Sequence, residues 1–83
     1  MRDNTSQTVK TIIAQECGIK RKSINNNTQF MSSKEISYFD CMGAMFILQH
    51  KLHVSLPESN YYKYATVGGL VKDIVNQLKV KSR

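Results

Sequence analysis

The sequence predicts an all-α domain of three main helices and one short fourth element, and three observations carry that expectation. Large apolar residues recur at spacings of three and four in three separate stretches. Proline occurs once and glycine four times, so little interrupts those stretches. Residues that cap or stop a helix, namely Gly18, Ser37 and Thr66, stand at their ends.

Residues 1–6 are polar and expected to fray, as are residues 80–83. Val9, Ile12, Ile13 and Cys17 then mark a first amphipathic helix from about Gln7 to Cys17, with Thr5 or Ser6 as cap and Gly18 as stop. Lys20 to Ser33 is a long connection around Asn25-Asn26-Asn27. A loop of that length in so small a domain is usually functional or pinned to the core, and Ile24 and Phe30 are the expected pins.

The stretch from Ser37 to Leu52 reads as the central helix. Its Phe39, Met42, Met45, Phe46, Leu48 and Leu52 fall along one broad side. Ser37 suits the cap, because its oxygen can accept from a backbone N–H with no partner of its own. Asp40 places a negative charge in the first turn, where the helix dipole favours it. Val54-Ser55-Leu56-Pro57 should end the helix, since the residue before a proline is driven out of helical geometry. Pro57 to Tyr64 has room for a turn and a short helical segment, its tyrosines supplying apolar bulk with polar tips.

Thr66 caps the predicted last helix, whose apolar face is Val67, Leu70, Val71, Ile74, Val75 and Leu78. Gly68 and Gly69 weaken it by about 1 kcal/mol each relative to alanine, so they should serve a close approach, with the short segment before the helix as the candidate neighbour. The expected core is Val9, Ile12, Ile13, Ile24, Phe30, Phe39, Met42, Phe46, Leu52, Leu56, Val67, Leu70, Val71 and Ile74.

Eighty-three residues without internal repeats make one domain. The longest apolar run, Cys41 to Leu48, is far too short to span a bilayer, and Arg2 and Asp3 stand where a secretory leader would need an apolar core. A cytoplasmic location is expected. Cys17 and Cys41 make neither a disulfide framework nor a metal motif. The net charge of +6 raises an acidic partner, but only Lys20-Arg21-Lys22 and Lys79, Lys81, Arg83 are dense, which favours solvated surface charge.

Ser23-Ile24-Asn25 with Thr28 and Phe30, then Leu48 to Leu52 with Val54, Leu56 and Pro57, then Thr66-Val67-Gly68-Gly69-Leu70-Val71 with Ile74, resemble the acyl carrier proteins over nearly all of Val9 to Leu78. The resemblance implies the family's four-helix bundle. The Ser23-Ile24-Asn25 loop is most similar to small carrier-type proteins associated with bacterial type III secretion. In the family, a serine at the start of the second helix carries 4′-phosphopantetheine. The corresponding residue here is Tyr38, within Ser37-Tyr38-Phe39-Asp40.

A phenolic oxygen lies several ångströms farther from the backbone than a serine hydroxyl, and in-line displacement tolerates little misplacement, so transfer to Tyr38 should be poor or absent. Ser37 has the right chemistry but sits about 100 degrees away around the helix. The family's second helix is also rich in acids, whereas this one has Asp40 alone, with Gln49, His50 and Lys51 in its last turn. Steering toward basic enzyme surfaces would be lost.

His50 and His53 lack the nearby carboxylates or thiols of a metal site. Cys41, in the first turn, invites a lowered thiol pKa, but a packed small residue is the commoner outcome. No serine or cysteine stands in a triad-like motif, so no enzyme is expected. The sequence is therefore read as a monomeric, non-catalytic, carrier-like interaction protein without a cofactor. It would bind a protein partner through Tyr38, Met42, Gln49, His50 and Lys51. The first alternative is a true carrier with 4′-phosphopantetheine on Ser37. The second is a small basic nucleic-acid-binding domain, with Tyr61, Tyr62, Tyr64 and Lys63 as a stacking platform.

Overall fold

A computed structural model describes residues 4–81, and the expected fraying of residues 1–3, 82 and 83 lies outside that range. The protein is an all-helical bundle: α1 (Thr5–Cys17), α2 (Tyr38–Leu52) and α3 (Val67–Lys81), with 3-10 segments at Arg21–Ser23 and Glu58–Tyr64. The residues at 5, 6, 80 and 81 belong to helices rather than to loose ends.

α1 begins two residues earlier than its apolar spacing suggests. The Thr8 N–H reaches the Asn4 carbonyl at 2.9 Å and closes a turn upstream of Gln7. Thr5 and Ser6 are consequently inside the helix, and neither caps it. Gly18 ends the helix as expected. Its φ of 67° is left-handed, a conformation glycine adopts without penalty, and its N–H closes on the Ala14 carbonyl.

α1 and α2 lie side by side in opposite directions. Cys17 and Glu16 at the end of α1 meet Asp40 and Gly43 early in α2. Gln7, Thr8 and Thr11 share a groove with Lys51 at the other end.

The connection between them is pinned where expected, with Ile24 and Phe30 buried, and Ile36 is a third pin. It is also zippered by its backbone to the start of α3. The Phe30 N–H donates to Ala65 O (2.7 Å), Met31 N–H to Tyr64 O (3.0 Å), Val67 N–H to Thr28 O (2.8 Å) and Gly68 N–H to Asn26 O (2.9 Å). The Asn25 side chain accepts from the Asn27 N–H, and Thr28 Oγ1 accepts from the Asn25 N–H, so the asparagine run is a side-chain-stabilised turn.

This zipper accounts for the paired glycines. A β-carbon on Gly68 would sit 2.8 Å from the Asn26 carbonyl, and one on Gly69 would collide with the Lys63 carbonyl of the second 3-10 segment. Thr66 Oγ1 accepts from the Gly69 N–H at 3.2 Å and caps α3.

The core matches the expectation in α1, the loop and α3, with Leu52 and Val71 only half-buried against it. In α2 the expectation fails. Phe39, Met42 and Phe46 are exposed, while Cys41, Ala44, Met45 and Leu48 face inward. The reason is that α2 carries two apolar stripes at helical spacing, on opposite sides. Periodicity identifies both, but only contact with α1 and the loop decides which is inside.

α2 ends at Leu52, because His53 takes the left-handed conformation (φ 56°) before the proline rule applies. That turn drives Val54 and Leu56 into the core. The chain is held there by the Leu56 N–H donating to Gln49 Oε1 and by Gln77, which bonds both the N–H and the carbonyl of Ser55.

Candidate interaction face

Ser37 and Tyr38 lie at the start of α2, and the side chains around them form a face built by α2 and the second 3-10 segment. Ser37 adopts extended geometry and its Oγ accepts the Asp40 N–H at 3.0 Å, the capping role expected of it. Tyr38 opens the helix with 57% of its surface exposed, its ring edge-on to Tyr61 at 6.5 Å. The Tyr61 hydroxyl contacts Met42 Sδ at 3.2 Å. Tyr61 in turn leans on Tyr64, which is fully buried and donates its hydroxyl to the Asp73 carboxylate. A chain of aromatic contacts thus ties the surface at Tyr38 to the core.

Farther along the outer side of α2 stand Phe39 and Phe46, 83% and 62% exposed. His50 packs edge-on against Phe46 at 4.7 Å. Shallow grooves flank Phe46, one walled by Ile47, His50 and Lys51, the other by Gln49, His50 and His53. Between Phe39 and Phe46 lies Gly43, where a β-carbon would find nothing nearer than Glu16 Oε1 at 4.0 Å. Among the described residues, nothing else stands close enough to exclude a side chain there.

Of the residues singled out from sequence, Tyr38, Met42 and His50 share this side of the helix, and Lys51 lies on its flank toward α1. Gln49 is committed to the Leu56 N–H and lines a groove only with its flank. Phe39, Phe46 and Tyr61 belong to the face but were read as core or as part of a separate tyrosine segment. The signal for the two phenylalanines was the second stripe itself. Met42 points out to Tyr61 while Met45 packs inward, so the two methionines line no common space. Tyr61, Tyr62 and Tyr64 do not form a common platform: Tyr64 is buried, Tyr61 is half-buried, and Tyr62 is exposed beneath Lys63 Nζ, 6.0 Å from its ring.

Charge is arranged along the face with a direction. Asp40 occupies the first turn, Glu16 lies beside Gly43, and Lys51 with His50 closes the other end. Burial, followed by nearby Tyr38 and Glu58, pushes the Tyr61 phenol up from its ordinary value.

Burial acts on the two cysteine thiols in the same direction. Cys41 is buried with Sγ 3.4 Å from the Phe30 carbonyl, and burial, then Asp40, pushes its thiol up. Burial, then Cys41, Asp40 and Glu16, pushes Cys17 to about 11. The dipole of α2 does not produce an activated thiol. Among the described residues, no three His, Cys, Asp or Glu side chains gather as metal ligands, and no helix is long and apolar enough to cross a membrane.

At this helix start the exposed Tyr38 ring stands edge-on to Tyr61, and the Ser37 oxygen accepts its cap hydrogen bond. No protein-family model matches this sequence.

Proposed function

We propose that the chain is a non-catalytic, cytoplasmic protein of acyl-carrier-like form that carries no phosphopantetheine and works by binding another protein chain. Its binding surface is the outer face of α2, and the type III secretion setting implied by its loop is part of the same reading. The observation that carries the proposal is the apolar stripe of Phe39, Met42 and Phe46 standing in solvent on the helix that opens with Tyr38. Monomers seldom leave such a contiguous patch open without a partner for it. Tyr38 and Tyr61 enlarge it, and aromatic side chains lose little conformational entropy on docking.

Intact mass after incubation with a broad-specificity phosphopantetheinyl transferase and coenzyme A tests the reading. The wild-type chain should gain no mass, and Tyr38→Ser should gain one phosphopantetheine unit. A gain by the wild type that disappears in Ser37→Ala would overturn the proposal and establish Ser37 as a carrier residue.

A further inference from the structure

We infer that the occupant of the outer α2 face is the same face of a second copy of this chain, the two α2 helices crossing antiparallel. The inference rests on that face being a binding surface, and it replaces the monomer expected from sequence. Three features of the helix support it.

The first is shape. Reversing α2 on itself about the midpoint between Ala44 and Met45 sets Phe46 of each copy over Gly43 of the other, and Phe39 against His50. The largest projection thus meets the gap in the stripe, where a β-carbon would clear its neighbours among the described residues of the same chain. Helices approach closely where a large side chain enters such a space.

The second feature is charge. The face is acidic toward the start of α2, through Asp40 and Glu16, and basic toward its end, through Lys51. A twofold axis across the pair keeps each flank on its own side, so Asp40 of one copy comes within about 3 Å, along the axis, of Lys51 of the other. A parallel twofold would send the charged flanks to opposite sides and leave those pairs unmade. An anionic membrane surface is disfavoured because Asp40 and Glu16 would face it.

The third feature is area. Tyr38, Phe39, Met42 and Phe46 leave open on the order of 500 Å², taking roughly 200 Å² for each whole side chain. Two copies therefore remove about 1,000 Å² before the groove walls are counted, which reaches the size of a specific interface.

Sedimentation equilibrium of the full chain between roughly 10 μM and 1 mM tests the proposal. The expected result is a mass rising from monomer to dimer across that range. Phe46→Ala should weaken the dimer at least about tenfold. Asp40→Lys and Lys51→Asp should each be monomeric alone, because each faces like charges in its own dimer. Mixed in equal amounts they should form a heterodimer, since both cross-helix pairs are then complementary. Circular dichroism of each variant establishes that it is folded, and Phe46→Ala, on an exposed position, keeps the test open if a charge variant is not.

A wild-type chain that stays monomeric at 1 mM overturns the inference and leaves the face to a different protein. A dimer indifferent to Phe46→Ala and to both charge reversals also overturns it, because the contact would lie elsewhere. Neither outcome bears on whether phosphopantetheine is attached, which the mass measurement decides separately.

Discussion

The two sides of α2 are built from similar material and are put to opposite use. Cys41, Ala44, Met45 and Leu48 are sealed against α1 and the pinned loop, while Phe39, Met42 and Phe46, equally apolar, face water. If burial of apolar surface were the only influence on this helix, the larger side chains would be the ones inside, because they gain most from leaving water. The smaller set is inside because α1 and the pinned loop lie on that side, where Cys41 Sγ stands 3.4 Å from the Phe30 carbonyl. The difference teaches that α2 serves the fold with one side only. Its larger aromatic side chains are left available for binding.

The most severe way to break this comparison is to truncate one residue from each side. Leu48→Ala removes a side chain with no solvent exposure and should cost about 2–5 kcal/mol of stability, transfer and cavity terms together. Phe46→Ala removes a larger side chain and should stay within about 0.5 kcal/mol for the isolated monomer. Urea denaturation of both at a concentration where the chain is monomeric measures the contrast. Equal costs would mean that the outer stripe packs against the fold after all.

The same contrast separates what was legible in the sequence from what was not. Ser37 and Thr66 are caps, Gly18 is a left-handed stop, and Ile24 and Phe30 are pins, all as read from residue type and place, because each of these roles is decided locally. The close approach at Gly69 was legible for a related reason: glycine in a helix is costly, and a neighbour that leaves no room for a side chain is one cause of its presence. The inward side of α2 was not legible. Phe39, Met42 and Phe46 obey the same spacing as a buried stripe, and the choice between them and Met45 with Leu48 depends on where α1 lies. Gln49 shows the limit from the other direction. It reads as an exposed polar residue, and only the returning chain at Leu56 gives its side chain a structural bond. The clustering of Tyr61 with Tyr38 and Met42 likewise joins elements separated by the whole of α2.

A second, smaller effect sharpens the comparison by moving it to glycines. Gly69 lies where α3 presses on the second 3-10 segment. A helical Gly→Ala exchange ordinarily stabilises by about 1 kcal/mol, but here the added methyl would strike the Lys63 carbonyl, which belongs to backbone and cannot swing aside. Gly69→Ala should therefore destabilise by about 1–3 kcal/mol in thermal or urea unfolding. A gain in stability would show that the junction between the 3-10 segment and α3 is loose rather than tightly seated.

Gly43 provides the counterpart on the open side, and its expected effect is the smallest and opposite in sign. It stands in the middle of α2, where glycine costs backbone entropy that alanine does not, and its nearest potential contact, Glu16 Oε1 at 4.0 Å, leaves room for a methyl group. Gly43→Ala should consequently raise the stability of the monomer by about 0.5–1 kcal/mol. In the paired arrangement the same methyl occupies the space that receives Phe46 of the second copy, so self-association should weaken as the monomer gains. Stability measured well below the dimer concentration and sedimentation measured above it separate the two effects within one variant. A glycine retained for a neighbour outside the chain predicts that they move apart. One retained for an unseen internal contact predicts that the monomer itself is destabilised.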